Sequence, residues 1–467
     1  MNFRLATASV GMGVFFGLVL WLHQRDAAPP EEAYVKPNII FLSFCSMRSQ
    51  DLGIYNNLNK NITPNIDENF QHGFIFKNAF TSYGWTNMSS YLFQNFNYSF
   101  LSENGYEALG SEPSSLVYWI PKPILLNQKK PMVVEQYTNQ IVDGLKNLKD
   151  LILTKRQKPF FAFVHIKYMH YPYIDLTNPN SNWDIYLTEN EKSYVRDIIY
   201  SPKKFPNNIL MPLILYGSNK ILDSYPQIQS KAASPITRFF DQYQLFSDQA
   251  LVQKWRKTDN FENDLLLIKK IYRAKLHFLD QQIGDLLNLY GDLRLQENTI
   301  IILTGDHGES FLEHDTLGHA AKVNDEIMNF PLLVKFPRSK KKSPLFIEDQ
   351  VYQGSFKEIV SGLIEGRISE NNFQNKFISL NSNRKIIMRN CSDTIRGIRD
   401  TNKWKYIKNQ TTSEEVLFDL QKDPQELNNV KSQYPEVLAQ MELYLTLHNS
   451  EISKIYDHSP CNRLTSE

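Results

Sequence analysis

Apolar runs of strand length recur along this chain, separated by stretches with helical spacing. Asn38–Phe44, Phe160–Ile166 and Thr299–Thr304 are nearly unbroken apolar runs, the pattern of strands buried on both faces. Phe74–Phe80 predicts another strand, and Pro64 predicts the first turn of a short helix. Between these, Tyr137, Ile141, Leu145, Leu148 and Leu151 fall at helical spacing. Ile268, Tyr272, Leu276, Leu279, Ile283, Leu287 and Tyr290 likewise mark one face of a long helix. Helix and strand in alternation predict an α/β domain, a mainly parallel sheet sandwiched by helices. In such a sheet the loops after Phe44, Ile166 and Leu303 converge on one crevice, where a site is expected.

From about Pro344 the pattern shortens. Phe377–Leu380, Ile386–Arg389, Ile395–Ile398, Trp404–Ile407 and Val416–Leu420 read as short strands between polar turns, and Tyr434–His448 as a closing helix. The expected division is therefore 37–343 for the main domain and 344–467 for a small C-terminal antiparallel sheet plus helix. Residues 174–262 lose periodicity and are read as an inserted, lid-like segment.

Three features bear on location and partners. Leu5–Leu22 is an apolar run of about 18 residues, near the minimum for crossing a bilayer. Arg4 precedes it, while Asp26, Glu31 and Glu32 follow. This polarity predicts a single-pass anchor and stalk over 1–36, with the bulk on the extracytoplasmic side, in a periplasm or secretory lumen; a cleaved signal peptide is the alternative. A formal net charge of +1 without a basic block gives no sign of a nucleic-acid partner. Of three cysteines, Cys391 and Cys461 could pair in an oxidising compartment, which leaves Cys45 alone.

The chemistry concentrates after Thr304. Asp306 and His307 follow the strand directly, and Glu309, Glu313, His314 and His319 come soon after, so three of the ten histidines lie in 307–319. An oxygen and a nitrogen ligand at a strand end suit zinc, manganese or a similar divalent ion. His165 and His170 flank the end of the Phe160–Ile166 run. Tyr83–Ser90 holds Thr86, Ser89 and Ser90, hydroxyl groups where a helix would start and favour an anion.

These segments resemble the sulfatases and their relatives in the alkaline phosphatase superfamily. The resemblance rests on Tyr272–Gly284, Asn298-Thr299, the block Thr304-Gly-Asp-His-Gly-Glu-Ser310, Glu313-His314, Gly318-His319 and Phe330–Pro337. Pro64–Asp67, Trp85-Thr86, His170–Tyr173 and Leu417–Asn429 match further landmarks in order, so it covers most of the chain from Pro37 onward. It implies an alkaline-phosphatase-like fold, with Asp306 and His307 on a metal, Thr86 as covalent nucleophile, and His170 and His319 holding the transferred group or a second metal. Two departures shape the expectation. The family's formylglycine arises from a Cys or Ser followed by Pro and Arg, whereas this chain reads Thr86-Asn-Met-Ser-Ser, so no formylglycine is expected. Cys45 stands where the family places a metal-binding acid, and Gln50 at a second acidic position, which makes zinc the expected ion, with Cys45 as a ligand. A threonine nucleophile looks more like the phosphoethanolamine transferases and phosphodiester hydrolases, which favours phosphate over sulfate esters. The expected protein is thus a membrane-anchored hydrolase or transferase acting on an anionic ester, on a lipid head group or a glycan. The alternative is a decayed relative that only binds such a group.

Overall fold

The computed structural model describes residues 36–85, 98–110, 159–166, 168–170, 173–175, 184–200, 215–216, 249–337, 339, 343–382, 384–401 and 403–448. Seven strands build its main sheet: β1 (Asn38–Phe44), β2 (Phe74–Phe80), β3 (Glu107–Gly110), β4 (Phe160–Ile166), β5 (Thr299–Gly305), β6 (Leu332–Lys335) and β7 (Leu345–Tyr352). Their order is β7-β2-β6-β5-β1-β4-β3, parallel throughout except for β6. Every residue of β1 and β5 is buried, as unbroken apolar runs require.

Alternate residues of β1 face opposite layers. Ile40, Leu42 and Phe44 join one core with α1 (Pro64–Phe70) and the long α2 (Phe261–Asp292). Ile39 and Phe41 join the other with α3 (Phe356–Ile364) and α4 (Phe373–Asn381). The seven periodic residues of α2, Ile268 through Tyr290, are all buried. The sandwich expected from the sequence is therefore present.

The second sheet is an antiparallel meander of β8 (Ile386–Arg389), β9 (Ile395–Arg399), β10 (Trp404–Asn409) and β11 (Glu415–Asp419). Helix α5 (Pro435–Leu447) lays Met441 and Leu445 against Ile387, Ile398, Trp404, Tyr406 and Leu417. Two expectations change here. Phe377–Leu380 is helical, because Phe373 and Phe377 at i,i+4 bury together against the main sheet's Phe74 and Phe76. Residues 345–381 also belong to the main layers, since β7 pairs with β2, so the small sheet starts only at Ile386.

Residues 37–467 form one compact unit and 1–36 another. The expected anchor at 5–22, the helix at 137–151, Thr86 and most of 174–262 lie outside the described residues. Helices Glu189–Tyr200 and Gln249–Arg256 are described within that last segment, which is thus partly regular. Among the described residues, no helix is long and apolar enough to cross a membrane.

One buried side chain joins the two long stretches of helix. Asp280 of α2 accepts from the backbone N–H groups of Asn65 (3.1 Å) and Ile66 (2.8 Å), at the otherwise uncapped start of α1. Removing it strands buried donors. Asp280→Ala is expected to cost about 2–3 kcal/mol, read from the shift of a urea unfolding curve; a loss under about 0.5 kcal/mol would deny it this capping role.

Candidate functional site

Backbone pairing brings the site together before any side chain acts. Phe44 of β1 lies beside Ile166 of β4 and Gly305 of β5. The ladder continues one step past the strands: Cys45 N–H donates to Ile166 O (2.9 Å), and Asp306 N–H to Phe44 O (3.1 Å). Cys45 and Asp306 are therefore neighbours at the C-terminal edge, and His307 follows. The ligand atoms of Cys45, Asp306 and His307 lie within 4.8 Å of one another, and all three residues are buried.

Each side chain is held from behind. Asp306 Oδ1 accepts from Ser46 N–H (3.2 Å) and His307 N–H (2.7 Å). Its Oδ2 is buried without a hydrogen-bond partner, 3.9 Å from His165 Nε2. His307 Nδ1 meets Gly308 O at 2.8 Å, so Nε2 is the nitrogen turned to Cys45 Sγ, 3.9 Å away. Gln353 donates to Asp306 O (2.9 Å) while its Oε1 accepts from Thr81 Oγ1 (2.8 Å), which ties the site to the strand end that leads to Thr86. The His319 ring packs 4.4 Å from that of His307 and 4.9 Å from that of His170. Lys275 of α2 donates to His170 O at 3.1 Å.

The structure thus assembles five of the six residues expected at a site: Cys45, Asp306, His307, His319 and His170. The sixth, Thr86, is outside the described residues; Gly84, two positions earlier, is fixed beside His319 because Ala320 N–H donates to Gly84 O (2.9 Å). Asp51, a conceivable substitute for the missing acid, is occupied by Arg48 (3.1 Å) and Arg273 (3.0 Å), and Gln50 is exposed. Cys45 is the free cysteine among the described residues, and Cys391 is disulfide-bonded. Sequence reading missed Ser46, Lys275 and Gln353, and named Glu309 in the loop without giving it a role. Glu309 is fully buried, its Oε1 2.8 Å from His319 Nδ1, and burial pushes its carboxyl up to about 8.

With this geometry in hand, comparison with known proteins is decisive. The sulfatase family model matches residues 82–373, more than half of the chain. The chain belongs to the sulfatase family. Arylsulfatase K of the dog is 26% identical over 244 residues, 48% of this chain and 43% of that protein. Mouse iduronate 2-sulfatase is 40% identical over 72 residues, 15% of this chain and 12% of that protein. The chain therefore spans less than half the length of these curated relatives. Among solved structures, a protein in complex with its substrate D-glucosamine-2-N,6-O-disulfate is similar with a TM-score of 0.58 at 17% identity, over 92% of this chain and 99% of that one. The phosphonate monoester hydrolase of Agrobacterium radiobacter is similar with a TM-score of 0.55 at 16% identity, over 89% and 96%. At such identities these likenesses carry the fold alone.

Membership corrects the cofactor expectation. Sulfatases normally use formylglycine with calcium or magnesium, in place of the expected zinc and unmodified threonine. The unpartnered buried Asp306 Oδ2 suits a cation, yet the atoms beside it are a sulfur and an imidazole nitrogen. Calcium takes six to eight oxygens and magnesium a near-octahedral set, so these residues do not fit either ion.

A second cluster lies apart from this site. His314 Nδ1 meets Glu326 Oε1 at 2.9 Å, and Lys405 Nζ reaches Asp325 Oδ1 and Glu426 Oε1, each at 2.6 Å. His314, Asp325, Glu326 and Glu426 border a cavity of about 550 Å³ between the 48–50 loop and the 420–427 loop. Burial raises the Glu426 carboxyl to about 8, while Asp325, although buried too, is held well below the usual range by Lys405 and Arg399. An unfolded glutamate ionises near about 4.3. Between there and about 8 the unfolded chain has lost a proton that folded Glu426 keeps, so this group's contribution falls as pH rises. Glu426→Gln is expected to flatten the decline in unfolding free energy between pH 5 and 8; an unchanged slope would assign the decline elsewhere.

Proposed function

We propose that the chain cleaves or transfers an anionic ester, a sulfate or phosphate carried by a glycan or a lipid head group. The observation that carries this reading is the buried Cys45–Asp306–His307 cluster, with the His319 ring packed against His307 and the His170 ring edge-on to His319, at the C-terminal edge of a sulfatase-family sheet. Position 86 would supply the covalent nucleophile, and a threonine there favours phosphate over sulfate. A relative named as an N-acetylgalactosamine-6-O-sulfatase supports the sulfate half of the ester class. The Cys391 disulfide supports an oxidising, extracytoplasmic compartment, in keeping with the 5–22 segment as a membrane anchor.

The residues divide the work as follows. Asp306 is clamped through Oδ1 by two backbone N–H groups, which leaves Oδ2, 3.9 Å from His165 Nε2, as the oxygen without a hydrogen bond. His170 and His319 would hold the ester's oxygens through imidazole nitrogens. The enclosing side chains exclude water, so each such contact is stronger than in solvent.

The test is a paired screen of aryl sulfate and aryl phosphate mono- and diesters with the wild type and Asp306→Ala. The variant is expected to lose at least about a hundredfold in kcat/KM on whichever ester is turned over. Mass analysis of the peptide holding residue 86, after quenching during turnover, should show an adduct at that position. No turnover of any ester, with an anionic glycan still bound, would favour the non-catalytic alternative.

A further inference from the structure

Glu309 is the buried carboxyl that the reading above leaves unused. Its placement follows from a two-rung antiparallel ladder in the loop after β5, in which Ser310 pairs with Gly318 and Phe311 with Leu317. The next rung outward would pair residue 309 with residue 319. The turn is closed by Leu312 N–H donating to Thr316 O (2.9 Å), and Gly318 takes a φ of +85°, a left-handed conformation that glycine adopts without cost. Glu309 and His319 are thereby set opposite each other, with Oε1 2.8 Å from Nδ1 and both side chains fully buried.

We propose that Glu309 is a positioning residue for His319: it engages Nδ1 and so commits Nε2 to the ester. This rests on the reading that His319 meets the substrate. A neutral imidazole carries one proton, and the partner of one nitrogen decides which nitrogen holds it. Oε1 can accept from Nδ1–H whether the carboxyl is ionised or holds its proton on Oε2, and that contact selects the Nδ1–H form and stops rotation about the ring's attachment. The same division of labour operates wherever a buried acid orients a catalytic histidine. His307 is set by different means, with Nδ1 against Gly308 O at 2.8 Å. The two neighbouring rings are thus oriented independently, one by backbone and one by a side chain. Ser46 Oγ, 3.4 Å from the same Nδ1, is a weaker second contact and cannot replace the carboxyl.

The experiment is a nitrogen NMR spectrum of protein labelled with ¹⁵N in its histidines, with His319 assigned by the signal lost in His319→Asn. The wild type is expected to show a protonated, hydrogen-bonded Nδ1 at His319. Glu309→Gln, whose amide oxygen can still accept, should keep that pattern; Glu309→Ala should lose it. Alongside, kcat/KM should fall about 10- to 100-fold in Glu309→Ala and recover most of the way in Glu309→Gln. An unprotonated Nδ1 in the wild type overturns the proposal even if Glu309→Ala does not fold, as does an unchanged pattern in a folded Glu309→Ala. If no ester is turned over by any form, the functional reading fails while the spectrum still decides the role of Glu309.

Discussion

Lys405→Ala is expected to cost about 3–5 kcal/mol, enough to threaten the folded state of the whole chain. Lys405 stands on β10 with its ammonium fully buried, 2.6 Å from both Asp325 and Glu426. Arg399 adds a second cation at 3.2 Å from Asp325, so two positive groups face two carboxyls. Taking Lys405 away leaves two buried acids sharing one cation. That loss exceeds the hydrophobic gain of a smaller side chain, because an unpaired buried charge is among the most expensive defects a core can hold. Urea unfolding at pH 7 reads the effect. Adding Glu426→Gln to the lysine variant should change little more, since a carboxyl raised to about 8 is already neutral at pH 7 and the charge left short of a partner is that of Asp325. A loss below about 1 kcal/mol would mean that water reaches these carboxyls and screens them.

Gly308→Ala is the second substitution with a large expected effect. A Cβ at residue 308 would lie 2.2 Å from Glu326 O and 2.8 Å from Asn329 O, both backbone atoms that cannot swing aside. Gly308 N–H also donates to Ile327 O at 2.8 Å, so the loop cannot simply lift away. The expected cost is about 3 kcal/mol, with a shift of His307 that removes most turnover well below the melting temperature. Gly291→Ala is the control. Its nearest neighbour would be Gln296 Oε1 at 3.8 Å, and a helical glycine replaced by alanine should gain about 0.5–1 kcal/mol. Equal melting temperatures for the two variants would show that the contact at residue 308 relaxes freely.

What was legible in the sequence follows from what each pattern encodes. The runs at 38–44, 160–166 and 299–305 could be read because a strand covered on both faces must be apolar at every position, and few other structures demand that. Helix α2 was legible for the complementary reason, one buried stripe repeated over many turns. The convergence of Cys45, Asp306 and His307 followed from strand order alone. Phe377–Leu380 misled because four apolar residues suit a strand or a helix equally, and Phe373, which decides it, lies one turn upstream. The two carboxyl positions of the expected metal site misled differently. Cys45 does occupy the edge, but Gln50 is exposed, and Asp51 beside it is taken up by the nearby Arg48 and by Arg273 from the distant α2. Gln353 was invisible for the same reason: its reach to Asp306 depends on β7 pairing with β2, a register that no local pattern announces. Glu309 was nearer to being found, since the short ladder across residues 310–318 has a mirror centre that pairs it with His319.

The single antiparallel strand of the main sheet carries one more implication. Because β6 runs against β5, the segment between them leaves and re-enters the sheet at the same edge, and its two feet are joined by Gly305 N–H donating to Pro331 O (3.0 Å). A parallel neighbour would have forced a crossover helix there instead. The 306–331 segment is therefore a cassette with a fixed socket. It holds Asp306, His307, Glu309 and His319 together, and the Phe311 ring, 5.1 Å from that of Tyr272 in α2, seats it against the helical layer. Such a unit can be exchanged between distant members of one fold without re-registering the sheet, so chemistry can change in this loop faster than architecture changes around it.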